Sequence, residues 1–290
     1  MILFSRIFTW SRVAVAAVGL GLWAGPAAAV VIQDTGGTLP AGLPTQALGT
    51  WGNNAGAIAL GGAWVVTTRH QDIGLVDRRV NIDGQTYDAL AENQVIPLAN
   101  ADLRLVRLTE TATGELANLS SSVELYRGSV TGQTAQITGF GPTIGELSAN
   151  GDGYNLAGPT GNAYGLNAGQ NRIDRTRTIG NPFGRASALV ADFDNAALGR
   201  AVDFEANLAG GDSGGGWFVQ QDGQWRLAGI TQGIQPPGAN AQAEAFFGQE
   251  IYAVNLTTLA DIIDATRAQN FIAGDYNGDD IVSQADLDLV

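Results

Sequence analysis

The sequence predicts an all-β protein built from many short antiparallel strands. From residue 55 onward, short runs rich in Val, Ile, Leu, Thr and aromatic residues alternate with turn clusters. The chain also contains 40 glycines, which favours a turn-rich fold over a helical bundle. Many short strands at near-regular spacing are typical of a sandwich or a barrel.

The strands and turns follow one another in a simple order. The predicted strand runs are AIALGGAWVVTT, RRVNIDGQTY, LRLVRL, SVELYR, TAQITGF, SALVADF, GGWFVQ, WRLAGITQG and EIYAVNL. Asp83-Gly84 and Asp222-Gly223 each separate two such runs, and both pairs predict tight hairpins because their residues accept positive φ. Residues 143–171 are rich in Gly and Asn and predict a long loop.

One helix is predicted near the end of the chain, in LTTLADIIDATRAQNF. Apolar residues recur on one side at helical spacing, and acidic residues fall on the other side. The apolar positions are Leu256, Leu259, Ile262 and Ile263, and the acidic ones are Asp261 and Asp264.

Residues 1–29 have the composition of a secretory signal peptide. MILFSRIFTWSR carries two arginines, VAVAAVGLGLWA is a short apolar core, and GPAAA ends in an A-x-A pattern. We therefore expect cleavage after Ala29. The alternative is an N-terminal membrane anchor, but the apolar core is shorter than the ~20 residues that a membrane span needs.

The charge and cysteine content narrow the choice of partners and compartment. The chain has 15 basic residues, all of them Arg, against 28 acidic ones, and its net charge is -13. So acidic a protein is not expected to bind nucleic acid or anionic lipid. It contains no Cys, so the core alone must hold the fold. Together with the signal sequence, this composition suggests a bacterial protein that is secreted, periplasmic or attached to the cell surface.

Three residues are candidates for one catalytic centre. His70 is the only histidine and ends the run AIALGGAWVVTTRH, Asp102 precedes an alternating strand in ADLRLVRL, and Ser213 lies in NLAGGDSGGGWF. Considered alone, a single histidine is more often a core or surface residue, a carboxylate at the start of a strand is commonly a cap, and a serine among glycines fits a surface turn. Together they match nucleophilic catalysis, because a serine hydroxyl needs an imidazole to take its proton and a carboxylate to orient that imidazole.

The glycines around Ser213 fit the same chemistry. The backbone N–H groups of Gly211 and Ser213 can face one small pocket only if the turn is tight and free of bulky side chains. Two such donors form an oxyanion hole, which stabilises the negative charge of an acyl-transfer intermediate.

These segments resemble the chymotrypsin/trypsin family of serine proteases. WVVTTRH resembles the family's WVLTAAH, ADLRLVRL its NDIALLRL, GGDSGGGW its GDSGGP loop, and ITGFG its VSGWG strand. The segment after IYAVNLTTL is similar to the family's closing helix. The order His, Asp, Ser distinguishes this pattern from those of subtilisins and α/β-hydrolases.

The resemblance implies two packed antiparallel Greek-key β-barrels over residues 30–267, with the active site in the cleft between them. It implies that His70 is the general base and acid, that Asp102 orients it, and that Ser213 is the nucleophile. It also implies that Gly211 and Ser213 donate the oxyanion-hole hydrogen bonds. The expected function is that of a secreted serine endopeptidase.

The sequence departs from the family pattern at several positions. Arg69 and Gln71 replace the small residue and the cysteine that usually flank the histidine, and Gly216 replaces a proline. The substrate-binding SWG segment is matched only by TQG at 231–233. At the base of the implied specificity pocket stands Asn207, which disfavours a preference for Arg or Lys and favours an uncharged side chain.

Two questions about this implied site stay open at the sequence level. Glu205 is close to the pocket in sequence and is a second candidate contributor to specificity. Activation in the family requires a freed apolar N-terminus that pairs with the Asp beside the nucleophile, here Asp212. Signal cleavage before Val30-Val31-Ile32 would supply that amine without a separate zymogen step. The alternative is that other hydrogen bonds satisfy Asp212.

The tail at 268–290 has a different chemistry. GDYNGDDIVSQADLDLV has oxygen ligands at the spacing of a calcium loop, and it resembles part of a type I dockerin repeat. Asp280 stands where a glycine usually makes the turn, which is a departure from the calcium-loop pattern. Because only one repeat is present, we expect the chain to be a fragment of a longer protein. The candidate ligands are Asp275, Asn277, Asp279, the carbonyl of Ile281, Ser283 and Asp286.

Three functions therefore compete at this stage. The first is a serine endopeptidase that acts on protein or peptide substrates and needs no cofactor for catalysis. The second is a non-catalytic relative that keeps the barrels as a binding scaffold. The third is an adhesion or docking protein in which the calcium tail, if it is more than an acidic disordered segment, binds a cohesin-like or cell-surface partner.

Overall fold

The structure is a computed structural model, and its strands confirm the all-β fold class. The predicted signal peptide and the predicted calcium ligands both lie outside the residues that it describes. The described residues are 30–33, 39–52, 55–71, 79–89, 95–98, 100–157, 165–235 and 244–269.

Short strands follow one another along the chain, and a single described α-helix comes last. In chain order they are β1 (Val31–Ile32), β2 (Leu48–Trp51), β3 (Ala55–Gly61), β4 (Trp64–Thr67), β5 (Arg79–Ile82), β6 (Gln85–Asp88), β7 (Val95–Pro97), β8 (Arg104–Arg107), β9 (Thr109–Glu110), β10 (Thr134–Gly139), β11 (Thr143–Leu147), β12 (Gly153–Ala157), β13 (Asn167–Arg172), β14 (Arg175–Asn181), β15 (Gly184–Asp192), β16 (Ala206–Asn207), β17 (Gly216–Gln221), β18 (Gln224–Gln235), β19 (Glu244–Phe246), β20 (Glu250–Asn255) and α1 (Ala260–Gln269).

Two large antiparallel sheets divide the chain. The first sheet has the order β7-β8-β4-β3-β2-β5-β6-β9, and the second has the order β13-β10-β17-β18-β20-β15-β14. A small sheet, β11-β12-β19, and the pair β1-β16 lie beside the second sheet. Both large sheets are curled, so each encloses its own apolar side chains.

The core is shared between the sheets. Trp51, Ile58 and Leu105 of the first sheet belong to the same buried cluster as Phe218 and Ile230 of the second. A second cluster includes Ile137, Leu189 and Trp217 of the second sheet together with Ile32 and Ala206 of the β1-β16 pair. Because the first cluster contains residues of both sheets, it packs the two sheets against each other.

Both predicted hairpins are present. Asp83 and Gly84 have φ values of 50° and 73°, and Asp222 and Gly223 have values of 53° and 76°. Two consecutive residues at positive φ match the twist of the flanking strands. The turns therefore set the registers of β5 with β6 and of β17 with β18.

The predicted loop at 143–171 is wrong, because strands β11 and β12 and most of β13 lie within it. Gly153 of β12 pairs with Phe246 of β19, and Tyr154 and Leu156 pack against a buried cluster that contains Phe193. Tertiary packing thus overrides the low strand propensity of a Gly- and Asn-rich segment.

Two further sequence expectations fail in detail. The predicted strand SVELYR forms no regular strand, and only Leu125 makes an isolated bridge, to Leu227. In the closing helix Ile262 is 53% exposed while Ala260 and Ile263 are buried. The first turn, Leu256–Thr258, is a 3₁₀ turn, so the α-helical spacing begins only at Ala260.

In the part of the chain that the structure describes, no helix has the length and apolarity needed to cross a bilayer.

Candidate active site

His70, Asp102 and Ser213 come together at the junction of the two sheets. Strand β4 ends three residues before His70, β8 begins two residues after Asp102, and these strands pair with Thr67 opposite Arg104. The distance from His70 Nδ1 to Asp102 Oδ2 is 2.5 Å, and the distance from His70 Nε2 to Ser213 Oγ is 2.9 Å. The three residues that the sequence singles out therefore form a continuous hydrogen-bonded chain.

The carboxylate of Asp102 binds the histidine in two ways. Its Oδ1 accepts the backbone N–H groups of Arg69 and His70 at 3.0 and 2.9 Å, while its Oδ2 faces the imidazole. The Asp102 side chain is 2% exposed and the imidazole is 29% exposed. The buried carboxylate thus binds one edge of the ring, and the imidazole stays partly exposed.

The hydrogen-bond inventory favours one tautomer of His70. Beside an ionised carboxylate, which can only accept, Nδ1 would carry the proton and donate it to Asp102. In that tautomer Nε2 is unprotonated and accepts from the hydroxyl of Ser213. This is the arrangement in which a serine hydroxyl can lose its proton to an imidazole.

The glycine-rich turn brings Ser213 to the histidine by close backbone contacts. The N–H of Gly56 in β3 donates to the carbonyl of Ser213 at 2.6 Å. Gly214 has φ +83°, and a Cβ on it would lie 2.1 Å from the carbonyl oxygen of Gly56. Any other side chain at 214 would push the nucleophile turn away from the first sheet.

The position where a family proline was expected has a local explanation. The N–H of Gly216 donates to Thr138 Oγ1 at 3.0 Å. A proline has no N–H to donate. The departure at Gly216 is therefore matched to Thr138 in the neighbouring strand.

Two backbone N–H groups beside Ser213 are available to a ligand. Gly211 and Ser213 are both partly exposed, and within the described chain neither N–H donates a hydrogen bond, although the neighbouring N–H groups of Asp212 and Gly214 do. Gly211 reaches this geometry at φ +105°. Two unpaired donors next to a serine hydroxyl can bind a developing oxyanion.

Asp212 is fully buried and surrounded by donors. Its carboxylate accepts the N–H groups of Ala209 and Gly141 at 2.8 and 2.9 Å, and the nearby N–H groups of Val30 and Phe140 also act to lower its pKa. Burial raises the pKa of Asp212 to about 7 in spite of these hydrogen bonds. Val30 itself is fully buried with φ +72°, a strained conformation for a β-branched residue.

Asn207 and Glu205 are both enclosed by protein groups. Asn207 Nδ2 donates to Gln249 Oε1 at 2.8 Å, and its Oδ1 accepts from the N–H of Leu208 at 2.8 Å. Glu205 accepts the N–H groups of Asp194 and Val202 at 3.1 and 2.9 Å. Burial raises the pKa of Glu205 to about 8.

A cleft follows the segment Thr231-Gln232-Gly233. It has a volume of about 360 Å³ and is lined by Gln232, Gly233 and Tyr252, together with Ile179 and Gly180 of β14. On one side the segment pairs with β20. Among the described residues no strand pairs with Gln232–Gln235 on the other side, so this edge of β18 has the geometry that accepts an extended chain.

Several contacts of the site were not found from the sequence. The guanidinium of Arg69 lies 4.0 Å from the ring centroid of Phe183, at the tip of the β14–β15 hairpin. Gln71 Nε2 lies 3.4 Å from His70 Nε2, and Arg104 Nη2 donates to the carbonyl of Gln71 at 2.6 Å. Arg69 and Gln71, which depart from the family pattern on the two sides of His70, are the sequence signal that could have pointed to these contacts.

Neither metal ligands nor known relatives add to this picture. Within the described ranges, no group of three or more His, Cys, Asp or Glu side chains is placed to hold an ion. A scan against models of protein families and a search of curated proteins return no match for this chain. A functional assignment therefore rests on the geometry of the site.

Proposed function

We propose that this protein is a secreted serine endopeptidase of the chymotrypsin/trypsin type, with two Greek-key barrels that meet at the active site. The observation that carries the proposal is the hydrogen-bonded chain from Ser213 Oγ through His70 to Asp102. The two unpaired N–H groups of Gly211 and Ser213 support it, because they lie where an acyl-transfer reaction develops negative charge.

The reaction begins with acylation. Ser213 Oγ attacks the carbonyl carbon of the scissile peptide bond, and its proton passes to Nε2 of His70. Asp102 stabilises the imidazolium that forms, and the N–H groups of Gly211 and Ser213 bind the oxyanion. The carbon–nitrogen bond then breaks as His70 returns the proton to the leaving amine, which leaves an ester on Ser213.

Water completes the cycle by the same route in reverse. A water molecule gives a proton to Nε2 of His70 and attacks the ester carbon. The ester bond to Oγ breaks, and His70 returns the proton to Ser213 as the carboxylic acid departs. Both half-reactions use only the triad, the two backbone donors and one water molecule.

The substrate class that fits is an extended peptide. The edge of β18 at Gln232–Gln235 offers backbone groups to a peptide strand, and the cleft beside it receives a side chain. Asn207 and Glu205 are enclosed by protein groups and do not line this cleft, so the proposed preference for an uncharged side chain before the cut rests on the resemblance, which has Asn207 in place of an acidic residue. Hydrolysis of matched peptides with Ala, Leu, Gln, Asp or Arg there tests this preference.

We propose that signal cleavage activates the enzyme. The N–H of Val30 lies close enough to Asp212 to lower the pKa of its carboxyl, so removal of residue 29 would put an ammonium group at the same point. The ion pair would stabilise the nucleophile turn, because a buried carboxylate with only neutral donors gains a cation. It would also relieve the positive φ of Val30, since an N-terminal residue has no preceding carbonyl to clash with.

The first test of the proposed function is labelling with a fluorophosphonate probe. The mature protein should react at one serine, and Ser213→Ala and His70→Ala should abolish the reaction. Ser148→Ala is the matched control, because Ser148 lies in a turn and bonds Asp152. Folded protein with Val30 at its N-terminus that fails to react would contradict the proposal and would favour the non-catalytic scaffold.

We also propose that the tail binds calcium and attaches the enzyme to a partner. The spacing of oxygen ligands from Asp275 to Asp286 supports this. Calorimetric titration of the full chain should show one calcium site that Asp275→Asn with Asp279→Asn removes. Equal calcium binding by that double variant would contradict the assignment.

A further inference from the structure

The segment Arg69–Gln71 carries the reactive imidazole, and its two ends are held by side chains of one short stretch. Asp102 accepts the N–H groups at the start of the segment, on Arg69 and His70. Arg104 donates to the carbonyl at its end, on Gln71, at 2.6 Å. The backbone that presents His70 is thus hydrogen-bonded on both sides.

Arg104 is well placed to hold that carbonyl firmly. Arg104 is only 8% exposed. Its guanidinium carbon lies 4.7 Å from the ring centroid of Trp51, which is itself buried. The guanidinium stays charged in this setting. A charged donor makes a stronger hydrogen bond than a neutral one, and the indole face adds a cation–π attraction.

The strand behind Arg104 makes the contact rigid. Arg104 is the first residue of β8 and lies opposite Thr67 of β4, which leads directly to His70. The chain has no Cys, so no disulfide can hold the residue that follows the histidine. A hydrogen bond from a buried, stacked guanidinium is the noncovalent contact found at that point.

We propose that Arg104 is a positioning residue, which holds the Gln71 carbonyl so that the His70 imidazole lies between Asp102 and Ser213. The inference rests on the proposed function for its effect on catalysis. Misplacement of a catalytic group by about 1 Å costs about a hundredfold in rate. Loss of Arg104 should therefore slow the reaction without removing any group that touches the substrate.

The test compares Arg104→Ala with Arg107→Ala. Arg107 lies on the same strand with its guanidinium 5.6 Å from the ring centroid of Trp64, so the control removes an arginine stacked on a tryptophan elsewhere. Probe labelling of Arg104→Ala should be about tenfold to a hundredfold slower than that of the parent. In peptide hydrolysis, kcat should fall and KM should change less. Added guanidinium ion should restore several-fold of the rate, and Arg107→Ala should label at the parent rate.

A spectroscopic readout separates this inference from the proposed function. His70 is the only histidine, so ¹⁵N-histidine labelling gives one pair of ring signals. The parent should show a low-field Nδ1–H proton bonded to Asp102, Arg104→Ala should lose it, and guanidinium should return it. If the parent shows this proton but does not react with the probe, the proposed function fails while the Arg104 inference stands.

Two results would overturn the inference. One is an Arg104→Ala protein that keeps both the low-field proton and the parent labelling rate. The other is a loss of rate that guanidinium does not restore and that Arg107→Ala shares. Should Arg104→Ala not fold, Arg104→Lys replaces it, because lysine lacks the planar guanidinium that stacks and bonds at once; unchanged NMR and labelling in that variant would equally reject the role.

Discussion

At the scale of single residues, the glycine-rich turn that carries Ser213 depends on the absence of side chains at its glycines. Gly211, Gly214 and Gly215 each lie where a Cβ would be within 3.1 Å of backbone atoms. The space that their missing side chains leave is taken up by Gly56, Gly141 and Thr138. The turn that carries Ser213 is therefore held by close backbone contacts.

Gly214→Ala tests this crowding. We expect a loss of probe labelling and a lower Tm, because the new methyl would overlap the carbonyl of Gly56. Gly84→Ala is the matched control: its φ of +73° is similar, but a Cβ added there would have no atom within 4 Å. That control should cost about 1 kcal/mol of the free energy of unfolding. Equal losses in both variants would show that positive φ, not crowding, dominates.

Glu205 gives the protein a pH dependence of stability. Its pKa rises from 4.5 to about 8 on folding because it is buried, so the folded state favours the protonated carboxyl. The contribution of Glu205 to the free energy of unfolding should be fully present below pH 4.5 and should be lost as pH rises towards about 8. Glu205→Gln should flatten this fall by up to several kcal/mol, since one pKa unit is worth about 1.4 kcal/mol.

Denaturant unfolding between pH 4.5 and 8 measures the effect. The exposed Glu146→Gln is the control and should keep the parent slope. A parent protein whose stability rises over this range would contradict the assignment of Glu205 as a buried, protonated carboxyl.

At the scale of elements, the strands that carry the triad are predictable because local signals agree. The run that ends at His70 is apolar and buried, the run that follows Asp102 alternates, and two Asp-Gly pairs at positive φ define hairpins. The candidate triad could be named from sequence for the same reason, since each residue ends or begins such a run. The strands β11, β12 and β14 could not. β12 pairs with the distant β19, with Gly153 opposite Phe246, β11 pairs in turn with β12, and β14 is a largely exposed strand at the edge of the second sheet.

The β14–β15 hairpin is an element that the sequence did not assign to the site. Its tip contacts the first sheet twice, through Phe183 beneath Arg69 and through Asn181 Nδ2, which donates to the carbonyl of Asn100 at 3.3 Å. Its strand β14 also lines the cleft beside Gly233. The hairpin therefore ties the wall of the proposed substrate cleft to the segment that carries His70.

Phe183→Ala should loosen this wall. A cation–π contact of this kind is worth about 0.5–1 kcal/mol at an exposed site, so we expect KM for a peptide substrate to rise about twofold to fivefold. The rate of labelling by a small probe should stay within about twofold. Phe183→Leu keeps the apolar bulk and separates packing from the aromatic contact. A change confined to kcat would contradict a role in substrate binding.

At the scale of the whole molecule, the first described residues and the turn that carries Ser213 meet at Asp212. Strand β1 pairs with β16, with Val31 opposite Asn207, and this pairing brings Val30 to the carboxylate next to the nucleophile. The chain start, the nucleophile turn and the Asn207 region thus form one connected unit.

Protein that begins at Val30 should be more active than protein that retains Ala29. The free amine would lower the pKa of Asp212 from about 7, because an ammonium favours the ionised carboxylate. Labelling should be lost at alkaline pH as the amine deprotonates, and Asp212→Asn should remove the difference between the two forms. Equal labelling of both forms would contradict activation by the new N-terminus.

The buried position of Val30 has a consequence for the cell that makes this protein. The cut that releases the chain from its export signal is, on this proposal, the same cut that completes the catalytic site. Synthesis inside the cell would then produce no active protease, and the producing cell would need neither an inhibitor nor a separate propeptide for its own protection. Cleavage of the single peptide bond before Val30 would then determine both where and when the protein becomes active.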